Sequence, residues 1–347
     1  MIGAARQRLN QLDALRGLAA MAVVLFHFST RFSELYPQAA PQAWSLPMGH
    51  LGVNLFFIIS GFVIFMTIER TARPTDFVVS RVSRLYPAYW VAILLTFCIT
   101  HALTLPGKTV PLTTALANGL MFHGFFRVPH VDGVYWTLEV ELLFYALILA
   151  LFVGGRLAKV HRVLLGLLAL RLAYHFAAVW WGQDWSWTVF RLLNLRNIAW
   201  FALGICCYQW VQPRSERKHA ALARYTAGAA LLSLALTESA LAGLLGLAFS
   251  VTVLAAARGQ LRWLEARPFV WLGAISYPLY LLHENIGWAV MLKLQALNWT
   301  AGWACAAALI LVLALSDAVS RWVERPAMRW IRALYRRRAG ALQVSST

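Results

Sequence analysis

The sequence predicts an all-α fold, a polytopic bundle of about ten transmembrane helices with both termini cytoplasmic, and three observations carry that prediction. The first is composition. Of 347 residues, 60% are hydrophobic and only 13% are charged, and the mean hydropathy is +0.62. A soluble domain carries about twice that charge, so most of this chain faces lipid or other helices. The second is the recurrence of apolar runs of about 20 residues, each long enough to cross the ~30 Å hydrocarbon layer. They are continuous rather than alternating, which argues for helices over a barrel. The third is charge placement. With the N-terminus inside, most of the 31 Lys and Arg fall on inner loops and ends, in 6–16, 70–84, 156–162, 214–224, 258–267 and 321–338. The net charge of +17 is then mostly topology and needs no nucleic acid to explain it, although the tail "RRR" at 336–338 can also touch anionic lipid.

The spans are expected at 12–30, 51–68, 87–104, 134–153, 163–181, 196–211, 220–236, 240–257, 270–291 and 300–320. A basic cytoplasmic tail follows over 321–347, and the whole of 1–347 reads as a single transmembrane domain. The N-terminus has basic residues before an apolar run, as a signal peptide does. Polar groups inside that run and the lack of a cleavage pattern favour a retained first helix. Segment 105–133 is semi-apolar, but a further span there would invert every later loop, so a re-entrant or surface helix on the outer side is expected. Cys98, Cys206, Cys207 and Cys305 lie in apolar stretches without metal-ligand spacing, so they read as packing residues and no metal site is expected.

An ionisable group inside a span is a functional candidate, because burial in lipid penalises it. The first span, "LDALRGLAAMAVVLFHF", carries Asp13, Arg16 and His27. Arg16 and His27 lie about three turns apart on one helical face, roughly 16 Å along the axis. Asp13 is spaced to pair with Arg16. In the fourth span, "GVYWTLEVELLFYAL", Glu139 and Glu141 point to nearly opposite faces, Glu139 with Trp136 and Glu141 with Tyr145, and helical geometry does not choose between them. Arg171 and His175 lie mid-span in the fifth helix, either as ion-pair partners of a carboxylate or as catalytic groups. The ninth span aligns Ser276, Tyr280 and His283 in one polar stripe, with a kink expected at Pro278. Arg81 and Arg84 share a face just before Pro87, which is expected to open the third span. They are either topogenic charges or a planar fork for an anionic cytosolic ligand. No Walker loop, zinc motif or dinucleotide fingerprint occurs, so the energy source is a reactive donor or an ion gradient.

Five motifs in order decide the family that the chain resembles. "LDALRGLAAMAVVLFH", "GVNLFFIISGFVIF", "SRVSRLYPAYW", "WTLEVELLFY" and "SYPLYLLH" are similar to the signatures of the membrane-bound acyltransferase-3 family. That family acylates glycans, lipids and small molecules across bacterial inner membranes. The resemblance prefers Glu141, five residues after Trp136, over Glu139. Asn54 departs from it, standing where the family usually has Asp. The resemblance implies a multi-pass enzyme of the bacterial inner membrane with no resident cofactor. It implies acyl-CoA, expected to be acetyl-CoA, as co-substrate, and a glycan or lipid-linked sugar hydroxyl as acceptor. Arg16, Arg81 and Arg84 would hold acyl-CoA, and His27 would act as general base with Glu141, Tyr280 and His283 around it. Asp13, Asn54, Ser60, Trp136, Ser276 and Tyr277 would support them. An acyl-histidine intermediate stays open. The competing class is a proton-coupled secondary transporter of a sugar or lipid intermediate, which predicts paired broken helices in inverted repeats. Only one Pro-interrupted late span is evident.

Overall fold

Apolar runs without alternation can satisfy their backbone only within themselves, and the computed structural model, which describes residues 2–182, 185–212 and 220–344, is helical with no strand among those residues. The helices are α1 (Ile2–Phe26), α2 (Phe32–Leu35), α3 (Gly52–Glu69), α4 (Pro74–Ala102), α5 (Leu112–Asn118), α6 (Trp136–Val153), α7 (Val160–Trp181), α8 (Trp187–Leu192), α9 (Ile198–Val211), α10 (Ala220–Thr237), α11 (Ala240–Ala257), α12 (Arg267–Leu282), α13 (Glu284–Ala296), α14 (Ala301–Val319) and α15 (Arg325–Val344). Among the described residues, seven helical stretches are long and apolar enough to cross a membrane: Asn10–Leu35, Pro47–Glu69, Pro74–Ala102, Gly133–Val153, Leu157–Trp181, Ala240–Ala257 and Ala301–Arg337. Ile198–Val211 and Ala221–Thr237 are shorter apolar helices. Arg214, Arg217 and Lys218 of the expected inner-loop charge, and Gln183 and Asp184, lie outside the described residues.

One expectation is corrected. Pro87 does not open the third span; α4 starts at Pro74 and runs through it. Proline at the first position of a helix, as Pro74 is, loses no bond, and Pro87 forfeits one of the many backbone bonds of a 29-residue helix. The ninth span keeps its helix through Pro278 and is interrupted at His283, the residue before α13. In the basic segment that follows the last expected span, α14 passes through a π-helical turn, Ser320–Glu324, into α15. Segment 105–133 forms no spanning helix but α5 and short turns. There Asn118 donates to the carbonyls of Thr114 (2.8 Å) and Pro129 (3.0 Å) and accepts from Val131 N–H (3.0 Å).

The chain divides into two compact units. One comprises Met1–Arg16, Val53–Pro74 and Val140–Gly273. Its helices α7, α9, α10 and α11 pack on one another. Here α3 and α9 approach backbone to backbone at Gly61 and Gly204: a Cβ on Gly204 would meet the Ile58 carbonyl and come within 2.8 Å of Phe62 N, and one on Gly61 would meet the Phe201 carbonyl. Phe57 and Phe144 flank the Phe201 ring at 4.8 and 4.1 Å between centroids. The other unit comprises Gly17–Gly52, Thr75–Glu139 and Ala274–Thr347. Its α13 packs on α14 and on the turn that follows α1. Gly287 sits against the Phe28 ring, and Phe28, Phe32 and Trp288 are fully buried.

Candidate active site

His27 stands where α1 widens into a π-helical turn, His27–Arg31, an irregularity often found at functional positions. Its Nδ1 lies 3.0 Å from the Val23 carbonyl and 2.9 Å from His283 Nε2. His283 Nδ1 lies 3.1 and 2.9 Å from the carbonyls of Leu279 and Tyr280. Two carbonyl acceptors require an N–H at that Nδ1, so neutral His283 presents a lone pair at Nε2. The lone pair in turn requires the N–H of His27 at Nδ1 and leaves the basic lone pair on His27 Nε2. Glu284 Oε2 lies 3.4 Å from that atom. The Trp288 indole donates to the His27 carbonyl at 2.8 Å, fixing the backbone beneath the imidazole.

Glu284 is itself built in. Its side chain is buried, Lys108 Nζ lies 4.0 Å from Oε1, and the same ammonium sits 5.2 Å over the Trp288 ring. A Cβ at Gly133 would come within 2.9 Å of Glu284 Oε2, so only glycine leaves room for the carboxylate. Asp132 accepts from the N–H groups of Asn285 (3.1 Å) and Val134 (3.3 Å), which ties the turn before α6 to the start of α13. Burial pushes the Asp132 carboxyl up to about 6, against those two donors and Lys108, which pull it down. A raised carboxyl pKa means that the folded state holds its proton more tightly. The Asp132 contribution therefore falls as pH rises from the ordinary Asp value, about 3.9, toward 6. Thermal unfolding of wild type and Asp132→Asn across that window should show the wild type losing stability relative to the variant as pH rises.

Of the predicted residues, the structure brings together His27 and His283, and it adds Glu284, Lys108 and Trp288. Glu284 immediately follows His283 in "LLHEN", inside an apolar run, so the intramembrane-carboxylate signal was present in the sequence. Lys108 and Asp132 come from 105–133, where no periodicity points to them. Tyr280 shares a 3.1 Å hydroxyl contact with Thr137, Tyr277 donates to the Leu85 carbonyl at 2.9 Å, and Ser276 is buried. Trp136 is 40% exposed. In the other unit, Glu141 accepts from Ser60 (2.9 Å) and Tyr145 (2.5 Å), Asp13 pairs with Arg16 (2.8 Å), and Asn54 is half-buried. Arg171 finds the carboxylate expected for it in Glu238, at 2.6 Å.

Glu139 accepts from Gly124 N–H at 2.6 Å. Its carboxylate and the rings of His123 and His130 offer ligand atoms within 4.8 Å of one another and could hold a divalent ion. The two imidazoles already share a hydrogen bond at 2.8 Å, so no ion is needed to hold them.

The basic segment at the start of α4 gains partners from the C-terminal helix. Arg332 of α15 donates to Ser83 Oγ (3.1 Å) and to the Ser80 carbonyl (3.2 Å), while Arg81 donates to Ser80 Oγ (3.1 Å). Tyr335 donates to Asp76 at 2.7 Å and fixes α15 against α4. Arg332 thereby stands within electrostatic range of Arg81, Arg84 and Arg336.

The sequence model of the family described as an acyltransferase domain, acyltransferase-3, matches residues 9–321. The chain belongs to the acyltransferase-3 family. Among curated relatives, it is 30% identical over 119 residues to the exopolysaccharide production protein ExoZ of Rhizobium meliloti, covering 32% of this chain and 37% of ExoZ. It is 28% identical over 242 residues to BcsY of Komagataeibacter xylinus, provisionally named a membrane-bound transacylase, covering 65% and 58%. It is 27% identical over 146 residues to the acyltransferase MdmB of Streptomyces mycarofaciens, covering 40% and 38%. These matches span less than two thirds of each relative's length. No solved structure matches the chain significantly.

Proposed function

We propose that this acyltransferase-3 protein moves an acyl group, acetyl in the first instance, from cytosolic acyl-CoA to a hydroxyl of a glycan or lipid-linked sugar at the bacterial inner membrane. The observation that supports the reading best is the buried His27–His283–Glu284 group, whose hydrogen bonds leave the His27 Nε2 lone pair beside a carboxylate.

In this reading the acceptor hydroxyl gives its proton to His27 Nε2 as its oxygen bonds the thioester carbonyl carbon. Glu284, 3.4 Å away, stabilises the imidazolium that forms. His283 is a positioning residue that fixes the His27 tautomer. The Lys108 ammonium, 4.0 Å from Glu284, is the cation assigned to the oxyanion. The tetrahedral carbon then expels the CoA thiolate, which takes the proton from His27. Glu141, held by Ser60 and Tyr145, has a supporting role in its own unit. Arg81, Arg84, Arg332 and Arg336 receive the phosphates of the donor, since clustered like charges are relieved by an anionic ligand. Arg16 lines the donor path.

The test is acetyl-CoA turnover by purified protein in lipid nanodiscs with a panel of sugars and lipid-linked sugars. Thiol release that depends on one acceptor supports the reading. No acetyl-CoA binding by folded protein would remove it in favour of proton-coupled transport. Replacing Arg332 by Ala is expected to raise the KM for acetyl-CoA about tenfold, the worth of one charge-assisted contact, with little change in kcat. An unchanged KM would take α15 out of the donor site.

A further inference from the structure

One cavity takes no part in the chemistry above. It lies in the unit holding Val140–Gly273, between the C-terminal ends of α7 and α10 and the helix α8, and has a volume of about 410 Å³, within the range of small-molecule pockets. Its wall is aromatic. Tyr174 meets the rings of Trp185 and Phe190 at 4.9 and 5.4 Å between centroids, and Trp187 stacks on Phe190 at 5.5 Å. Its floor is polar and fixed. Buried Arg171 donates to Glu238 (2.6 Å), to Thr237 Oγ1 (2.6 and 3.0 Å) and to the carbonyls of Leu195 and Arg196. That guanidinium is committed to the protein, so it neutralises Glu238 and holds its carboxylate in place instead of collecting an anion.

We propose that this pocket binds an uncharged sugar unit of the acceptor glycan. The inference rests on the glycan-acylating reading and extends it to where the acceptor is held. An aromatic belt that only anchors the chain at the lipid interface needs no cavity and no immobilised carboxylate. Indole and phenol faces beside a fixed carboxylate and the His175 imidazole match the two surfaces of a pyranose. The C–H face lies on the rings, and the hydroxyls donate to Glu238. Arg196 also lines the pocket, so inorganic phosphate is titrated beside the sugars, and binding of phosphate in place of sugar overturns the proposal. Trp187, 65% exposed, offers the most open ring face. On the positive-inside reading these helix ends lie opposite the basic loops, on the outer side where a glycan acceptor would be met.

The test is direct binding, read apart from catalysis. Full-length protein in nanodiscs is applied to a printed array of oligosaccharides from bacterial exopolysaccharides and lipopolysaccharides, and hits are titrated by intrinsic fluorescence. Wild type and His27→Ala are expected to bind the same glycans. Trp187→Ala should weaken them at least tenfold, and Trp187→Phe should restore most of the affinity. Trp187 is exposed, so its truncation leaves the fold intact, and unchanged thermal unfolding checks this. No glycan bound by folded wild type, or equal affinity in Trp187→Ala, overturns the proposal. Glycan binding without any acetyl-CoA turnover would instead overturn the transferase reading and leave the pocket standing.

Discussion

Replacing His27 by Ala is expected to lower acceptor acylation by about 10²–10⁴-fold, the usual worth of a positioned general base, while acetyl-CoA binding survives. The loss should fall on kcat, because the imidazole acts only as the acceptor proton moves. Neighbouring variants separate chemistry from packing. His283→Ala frees His27 to change tautomer without removing the base, so its loss should be smaller. Glu284→Gln keeps the shape beside Nε2 but removes the charge that stabilises the imidazolium, so the loss should come with a shifted pH–rate profile rather than with unfolding. Equal and total loss in all three variants, with lowered unfolding temperatures, would mark the group as structural.

The second large effect concerns the fold. Gly204→Val is expected to prevent accumulation of folded protein. Any Cβ at Gly204 meets the Ile58 carbonyl and Phe62 N of α3, and both are backbone atoms that cannot swing away. Overpacking a core costs about 1–3 kcal/mol where side chains can shift, and more where backbones touch. The same contact is built from Gly61 against Phe201 on the other helix, so Gly61→Val should behave alike. Gly228→Ala on α10 is the control, since nothing lies within 4 Å of its Cβ position. Monodispersity in detergent and thermal unfolding check all three. A well-folded Gly204→Val would contradict the backbone contact between α3 and α9.

The helical class was legible because lipid leaves a chain few options, and apolar run length reports it directly. Helix ends were less so. Pro87 and Pro278 carry a local breaking signal, yet α4 and α12 run through them, and the interruption falls at His283, where no composition marks it. The site was readable where a chemical group sat within an apolar run, as for His27 and His283. It was not readable where the partner came from irregular chain, as for Lys108 and Asp132, because contacts across more than a hundred residues leave no local periodicity. Glu284 is visible in "LLHEN" as a carboxylate within an apolar run, whereas the family motif points to Glu141. The basic segment showed Arg81 and Arg84 but not Arg332, which reaches them only because α15 folds back onto α4.

The central claim is that this protein transfers an acyl group and does not merely move a solute. The most direct measurement follows radiolabelled acetyl from acetyl-CoA, supplied on one side of sealed proteoliposomes, with acceptor glycan on the other. The account predicts that label becomes covalently attached to glycan, that free CoA accumulates in equal amount, and that both cease in His27→Ala. Unmodified glycan crossing the membrane with a proton gradient, and no label attached to it, would contradict it.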